Sequence, residues 1–289
     1  MLDAVYKSMS GRVCMVTGAD SGIGKATCLR LANMGARVVM VSRDRDTGEA
    51  AKLEIMEETD SDSVELMTAD LSSQQSIRQL AADFRQGHDQ LHVLINNAGV
   101  LLKKRTVTED GVETTLAVNH LAPFLLTNLL LDVLKTSAPS RIVNVACEGH
   151  RRARIDFDNL QLEGNYSAVK AYNQSKLASV MFTYELARRL EGTGVTVNCL
   201  YPGVVATNLF RESPAFYRFL FRLFRPLLLS PEKGAETSIY LALSPEVEMV
   251  SGKYFIRKAP AGSSELSCDE ILAGRLWNVS ADLTRFSGT

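Results

Sequence analysis

Apolar positions in this chain fall into short runs and longer, mixed stretches. Val13–Thr17, Arg37–Val41, Val64–Thr68, Leu91–Ile95, Arg141–Ala146 and Val195–Leu200 are short, rich in β-branched residues and apolar almost without interruption. Runs of that kind suit strands covered on both faces, not strands with one wet side. Between them lie stretches of helix formers: Gly24–Met34, Thr47–Glu57, Gln74–Arg85, Glu113–Leu134 and Ala168–Leu190. Strands alternating with helices predict an α/β fold with a mainly parallel sheet and helices on both faces. Right-handed crossovers then favour a doubly wound sheet. Ligands of such sheets bind beyond the carboxyl ends of the strands, so the residues just after each strand carry the functional information.

Composition narrows the classes. The 289 residues are 46% hydrophobic, enough for a sizeable core in one domain spanning 1–289. Thirty-two basic residues against 33 acidic ones leave a net charge of −1, which gives no support to nucleic acid as a partner. The five cysteines are odd in number and form no CxxC pair, so neither a disulfide framework nor a metal site is expected. Cys14, Cys28, Cys199 and Cys268 read as small buried or inert residues. The N-terminus lacks the apolar core of a secretory signal, and the most apolar stretch, Leu121–Leu134, is interrupted by Pro123, Thr127, Asn128 and Asp132. A soluble protein of a reducing, cytoplasmic compartment is the expectation.

The residues after the first strand read Thr17-Gly18-Ala19-Asp20-Ser21-Gly22-Ile23-Gly24 and lead into a helix. Gly18 permits a tight turn, Gly22 lets the backbone approach a pyrophosphate, and Gly24 lets helix pack closely on strand. The phosphates would then sit at the positive helix N-terminus, beside Ser21 and Ile23. The second strand ends in Ser42 and Arg43, a hydroxyl and a planar cation suited to a ribose 2′-phosphate, which favours NADP(H). Asp44 and Asp46 complicate the local charge, and Arg43 also fits a solvated residue paired with one of them. After the third strand, Asp70, followed by Leu71, can accept a hydrogen bond from an adenine amino group or cap the helix starting near Ser72. After the fourth, Asn96-Asn97-Ala98-Gly99 leaves room for a ribose, with asparagines able to tie down the loop.

Tyr172 and Lys176 stand four apart in a helix-forming stretch and so share a face. A phenol of pKa ~10 is a poor acid-base group at neutral pH, but a neighbouring ammonium and an oxidised nicotinamide would lower that value. Such a tyrosine can exchange a proton with a carbinol or carbonyl oxygen while hydride moves at the nicotinamide. By itself the pair also fits an ordinary exposed helix face.

Taken together, TGADSGIG (17–24), ADL (69–71), NNAG (96–99), VNHLAPF (118–124), RIVNV (141–145), YNQSK (172–176) and PGVVAT (202–207) resemble the short-chain dehydrogenase/reductase family over nearly the whole chain. The resemblance implies a Rossmann-like fold and a homodimer or homotetramer. It makes Tyr172 the acid-base residue and gives Lys176 two tasks, lowering the tyrosine pKa and holding the nicotinamide ribose. Asn119 would stabilise the active-site helix and a proton-relay water. Gly203, Val205 and Thr207, in the loop opened by Pro202, would contact the nicotinamide carboxamide. SRD after the second strand, AVNHLAPFLLTNLLL (117–131), SAPSRIVNV (137–145), the 25-residue spacing from Cys147 to Tyr172 and RLWNVSADL (275–283) are similar to the retinol dehydrogenase branch. That branch implies NADP(H) and a lipophilic aldehyde, ketone or alcohol as substrate.

One position departs from the family. Its catalytic serine is replaced by Cys147, preceded by Ala146. A thiol is a larger and weaker donor, and loss of one donor of this kind could cost ~10²–10³ in rate. The competing expectation is therefore a nucleotide-binding regulatory or interaction protein with weakened catalysis. His150, followed by basic residues, reads as part of a surface turn. Finally, AFYRFLFRLFRPLLL (215–229) interleaves apolar residues with Arg218, Arg222 and Arg225. This pattern predicts a substrate lid at about 208–230, with peripheral membrane contact as the sharper alternative.

Overall fold

The computed structural model describes residues 8–205 and 228–287. The first six strands are β1 (Val13–Thr17), β2 (Arg37–Ser42), β3 (Val64–Thr68), β4 (Val93–Asn96), β5 (Ser140–Val145) and β6 (Val195–Tyr201). Each lies within two residues of its expected span. Two shorter strands come after them, β7 (Lys253–Ile256) and β8 (Ala259–Ala261). All eight form one sheet in the order β3-β2-β1-β4-β5-β6-β7-β8. Every neighbouring pair is parallel except the last, where β8 returns antiparallel along β7. The order reverses between β1 and β4, which opens a crevice at their carboxyl ends.

The alternation within the apolar runs explains why both faces are covered. On β1, Cys14 and Val16 point into one core while Val13 and Met15 point into the other; on β2, Val38 and Met40 oppose Val39 and Val41 in the same way. The first core is closed by α1 (Gly22–Asn33), α2 (Arg45–Thr59) and α8 (Pro231–Leu243), through Leu31, Ile55 and Ile239 among others. The second is closed by α3 (Gln74–Gly87), by α5 (Ala122–Leu129) and by α7 (Ala168–Arg189), through Phe84, Phe124 and Phe182. Each such side chain contributes about 1.5–3 kcal/mol on leaving water.

The single helix expected over Glu113–Leu134 is instead four segments. α4 (Thr114–Leu116) runs into a π-helical turn, Ala117–Leu121, and continues as α5; α6 (Leu131–Thr136) begins after a break at Leu130. Glu113 starts the segment by accepting the amides of Thr115 and Leu116 at 2.8 Å each. The extra residue in a π turn rotates the helix beyond it, and turns of this kind concentrate at functional sites.

A last helix, α9 (Glu270–Thr284), lies across α5 and α7. Trp277 meets Phe124 edge-on at 4.9 Å between ring centroids, and Phe286 meets the same ring at 6.2 Å. The Arg189 guanidinium sits over Trp277 at 4.1 Å. Gln74 and Arg78 of α3 donate to the carbonyls of Leu283 and Thr284, at 2.8 and 2.7 Å. The buried His120 ring bonds Ser280 Oγ at 2.8 Å, and that hydroxyl donates onward to Leu276. Because Ser280 is already a donor, the imidazole gives it the Nε2 proton; Nδ1 has no partner. Burial pushes the His120 pKa down to about 3.

The four cysteines read as small buried or inert residues divide by exposure. Cys14, Cys28 and Cys199 are buried, but Cys268 is exposed. Burial pushes the Cys14 and Cys199 thiols up to about 12. Among the described residues, no helix is long and apolar enough to cross a membrane, and no cluster of His, Cys, Asp or Glu is arranged to hold a metal. The expected lid lies largely outside the described residues.

Candidate active site

The glycine loop forms around a fixed point, the buried Thr17 at the end of β1. Its hydroxyl accepts the amides of Asn97 and Ala98 at 3.0 and 3.1 Å, and Asn97 Nδ2 donates back to the carbonyls of Thr17 and Gly18 at 2.8 and 3.1 Å. The loop after β4 is thereby fastened to the loop after β1. Gly18 has φ +64° and Gly22 φ +55°, in the region that favours glycine. A Cβ on Gly24 would overlap the Gly18 carbonyl oxygen and stand 2.7 Å from Asn97 Nδ2. Ser21 precedes α1 without a capping bond from its side chain, so the first amides of this 12-residue helix face the crevice uncapped. These amides and the missing side chains fit the diphosphate of a dinucleotide.

Ser42 and Arg43 differ in what they can offer. Ser42 is buried and its hydroxyl donates to the Asp44 carbonyl at 2.9 Å, so it is not a free group. Arg43 is exposed and makes no hydrogen bond or ion pair among the described residues. Asp44 is engaged elsewhere: its carboxylate caps α2 by accepting the amide and hydroxyl of Thr47, both at 2.9 Å. Those bonds hold it below the usual carboxylate range. Asp70 does not cap α3, since Ser73 does. Its Oδ1 instead accepts the amide and hydroxyl of Ser72, at 2.8 and 2.7 Å. Leu71 is half-buried beside it.

The second half of the site converges on α7. Lys176 is buried, and its Nζ donates to the Val145 carbonyl at the end of β5, at 2.8 Å. The same nitrogen lies 5.7 Å from the centre of the Tyr172 ring. A Cβ on Gly99 would come within 3.6 Å of Lys176 Nζ and 3.3 Å of Asn119 Oδ1, so Gly99 is where this group of polar atoms meets the crevice. Asn119, in the π turn, is held from both sides: Oδ1 accepts the Val100 amide at 2.8 Å, and Nδ2 donates to the Val100 carbonyl and to Ser175 Oγ, each at 3.0 Å. Ser179 donates to the Asn119 carbonyl at 3.0 Å. Ser175 and Ser179 complete this frame and escaped sequence reading, although they come after Tyr172 at helical spacings on its inward side.

Cys147 starts a 3-10 turn, Glu148–Arg152, and its Sγ accepts the Gly149 amide at 3.3 Å. A Cβ on Gly149 would overlap Asn173 Oδ1, which places the turn directly against the Tyr172 segment. Burial, then the Cys147 side chain and Tyr201, raise the Tyr172 phenol well above its ordinary value. Burial lowers the Lys176 ammonium to about 8. The lowering of the tyrosine expected from Lys176 is thus absent among the protein groups alone; desolvation dominates and Lys176 is not among the groups that shift the phenol. His150, expected on the surface, is wholly buried.

The loop after β6 closes the crevice. Gly203 has φ +91°, and the Leu229 amide donates to the Val204 carbonyl at 2.9 Å, pinning the loop on the return of the chain. A Cβ on Gly234 of α8 would reach Val205 at 2.6 Å and Ile23 at 3.1 Å, so this loop and the start of α1 meet across that glycine. Pro202 is half-buried beside them, and Thr207 lies outside the described residues.

A dinucleotide crevice at the turning point of a parallel sheet, with a tyrosine and lysine one helical turn apart at its rim, is the arrangement of a nicotinamide-dependent oxidoreductase. Residues 12–217 match the family model for short chain dehydrogenase, and the chain belongs to that family. Within it, the chain falls on the retinol dehydrogenase branch. It is 48% identical to retinol dehydrogenase 11 of Mus musculus over 95% of its own length and 87% of the relative's. It is 47% identical to retinol dehydrogenase 12 of Homo sapiens, with 95% and 87% covered. Among solved structures, an uncharacterized protein from Mycobacterium paratuberculosis aligns with TM-score 0.80 at 33% identity, covering 98% of this chain and 96% of the other. A 3-ketoacyl-(acyl-carrier-protein) reductase from Brucella melitensis complexed with NADH aligns with TM-score 0.67 at 28% identity, covering 86% and 97%.

Proposed function

We propose that this oxidoreductase interconverts a lipophilic, retinoid-like carbonyl and its alcohol, prefers NADP(H), and uses Tyr172 as its acid-base group. The observation that carries the reading is the buried Lys176 ammonium at 5.7 Å from the Tyr172 ring, beside the side-chain-free Gly99. A bound nicotinamide dinucleotide supplies or takes the hydride. Gly18, Gly22, Ile23 and Gly24 would hold its phosphates, Asn97, Ala98 and Gly99 its ribose, and Pro202, Gly203, Val205 and Thr207 the nicotinamide end.

The raised phenol is protonated at neutral pH, which suits it to give its proton to a carbonyl oxygen. Negative charge then develops on the phenol of a ring whose centre lies 5.7 Å from Lys176 Nζ, an ammonium that burial lowers only to about 8 and that is still charged at pH 7. Asn119 positions the helix segment carrying both, through Ser175. Cys147 stands where its thiol would meet the substrate oxygen opposite Tyr172. The NADP(H) preference rests on the exposed Arg43, which makes no hydrogen bond among the described residues, and on Asp44, whose carboxylate is occupied by Thr47 and so is a poor partner for a ribose 2′-hydroxyl. The retinoid-like substrate rests on the names of the relatives and on the apolar segment 215–229.

The test is NADPH oxidation at 340 nm with all-trans-retinal and a panel of aliphatic and aromatic aldehydes, repeated with NADH. Turnover favouring NADPH supports the reading. Binding of NADPH with no turnover on the panel, followed by a large gain on Cys147→Ser, favours the alternative of a nucleotide-binding protein with weakened catalysis. Homodimer or homotetramer assembly and peripheral membrane contact belong to the same proposal; sedimentation velocity and vesicle flotation test them.

A further inference from the structure

His150 has no exposed surface, and both its ring nitrogens meet backbone groups. Nδ1 lies 2.6 Å from the Cys147 carbonyl oxygen, and the Ser264 amide points at Nε2 from 3.3 Å. A backbone amide can only donate, so Nε2 accepts. The single proton of the neutral ring is then on Nδ1, where it is donated to Cys147. The partners fix the tautomer.

The turn around this histidine is bound to a distant part of the chain. The His150 ring packs edge-on against Tyr254 of β7, with centroids 4.9 Å apart. Tyr254 donates to Glu148 Oε1 at 2.8 Å, and Arg151 donates to Glu148 Oε2 at 3.0 Å. Arg151 also donates to the Ser263 carbonyl at 3.2 Å and to the Gly262 carbonyl. Residues 147–152 are therefore anchored on residues 262–264 through His150 and Arg151.

Cys147 receives the benefit of this anchoring. Its carbonyl takes the His150 amide at 3.3 Å as well as Nδ1–H, and its sulfur takes the Gly149 amide. Backbone and sulfur are both held, and the thiol interacts with the Tyr172 side chain. We infer that His150 is a positioning residue: its Nδ1–H bond to the Cys147 carbonyl fixes the thiol that faces the substrate oxygen. The inference rests on the proposed placement of Cys147 at the reacting oxygen, but its structural half can be read without turnover.

Two variants separate the two ring bonds. His150→Asn carries an amide N–H at the reach of Nδ1 and keeps the bond to Cys147. His150→Gln reaches as far as Nε2, keeps an acceptor for Ser264 and loses the Cys147 bond. The first readout is the iodoacetamide alkylation rate of Cys147, by peptide mass spectrometry with glutathione as competing standard. A lost hydrogen bond of ~1 kcal/mol changes the population of an ordered turn about fivefold. His150→Gln is expected to speed Cys147 alkylation about fivefold, and His150→Asn to stay within about twofold of the parent. The second readout is kcat and KM: His150→Gln lowers kcat about fivefold with KM little changed, and loses that effect in a Cys147→Ala background. Equal alkylation rates in the parent and a folded His150→Gln, or identical behaviour of the two variants, would overturn the inference. Absence of turnover in the parent with the alkylation order intact would overturn the carbonyl reading while leaving the anchoring of Cys147 supported.

Discussion

Replacing Asn119 with alanine tests the frame that carries the acid-base pair. The side chain is 2% exposed and makes three hydrogen bonds, two to Val100 and one to Ser175 Oγ. Removing it deletes bonds of ~1 kcal/mol each, about 3 kcal/mol in all. Two terms reduce that sum. Val100 is half-exposed, so water can reach part of what is uncovered, and Ser175 keeps its bond to the Tyr172 carbonyl at 2.8 Å. Alanine also gains about 0.5 kcal/mol of helix propensity. The net loss is about 2 kcal/mol, which in a protein of 289 residues lowers Tm by about 3 °C. Differential scanning calorimetry of the cofactor-free protein measures it. Asn119→Asp serves as the control: it keeps an acceptor for the Val100 amide but turns a carboxylate oxygen toward the Val100 carbonyl, and should not recover the loss. A melting point within 1 °C of the parent for Asn119→Ala would show that the π turn is held by packing and not by its asparagine.

Three further outcomes are expected from the same geometry. Gly24→Ala forces a side-chain Cβ into the Gly18 backbone carbonyl, a clash that only opening of the loop relieves; NADPH affinity by fluorescence titration should fall about tenfold or more, and an unchanged Kd would contradict the close approach. Arg43→Ala should lower kcat/KM for NADPH about tenfold while the NADH value stays within about twofold, as expected for loss of an exposed charge-assisted contact; equal losses with both cofactors would remove Arg43 from the discrimination. The His120 pKa, depressed to about 3, implies stability that is fully present above the unfolded pKa near 6.5 and is lost as pH falls from there toward 3. Urea unfolding should therefore show the parent losing about 2 kcal/mol more between pH 7 and pH 5 than His120→Leu does, the remaining loss coming from other buried groups in both, and parallel curves for the two would refute the assignment.

The central strands were legible because they are buried on both faces, and a double-sided apolar run such as Val13–Thr17 or Val93–Asn96 looks unlike anything else in the chain; β3, at the sheet edge, is only partly buried and was legible from its β-branched and apolar residues. The cofactor loop was legible because glycine is needed where a side chain would collide. Other features depend on partners far away in sequence. The π turn over Ala117–Leu121 differs from an α-helix by one residue per turn, and periodicity does not resolve so local a change. β8 is only three residues long with Pro260 at its centre, so it carries no pattern of its own. His150 was misread because its neighbours are arginines, whereas its burial is decided by Tyr254 and Ser264, the latter 114 positions away. Ser42 was given a free hydroxyl because nothing in the sequence shows that the Asp44 carbonyl takes it.

The helix α9 has a bearing on how the molecule is made. It follows every strand of the sheet in the chain, yet it seals the faces of α5 and α7 and reaches back to α3. A nascent chain that has not yet produced it already holds every element of the sheet, with Phe124 and Phe182 lacking their covering partners. During that interval the growing polypeptide is a near-native body with a sticky apolar stripe, the kind of species that holdase chaperones shield. Docking of α9 thus comes after the sheet is complete, and a substitution at Trp277, which covers Phe124 and Phe182, is expected to lower the yield of folded protein before it lowers turnover.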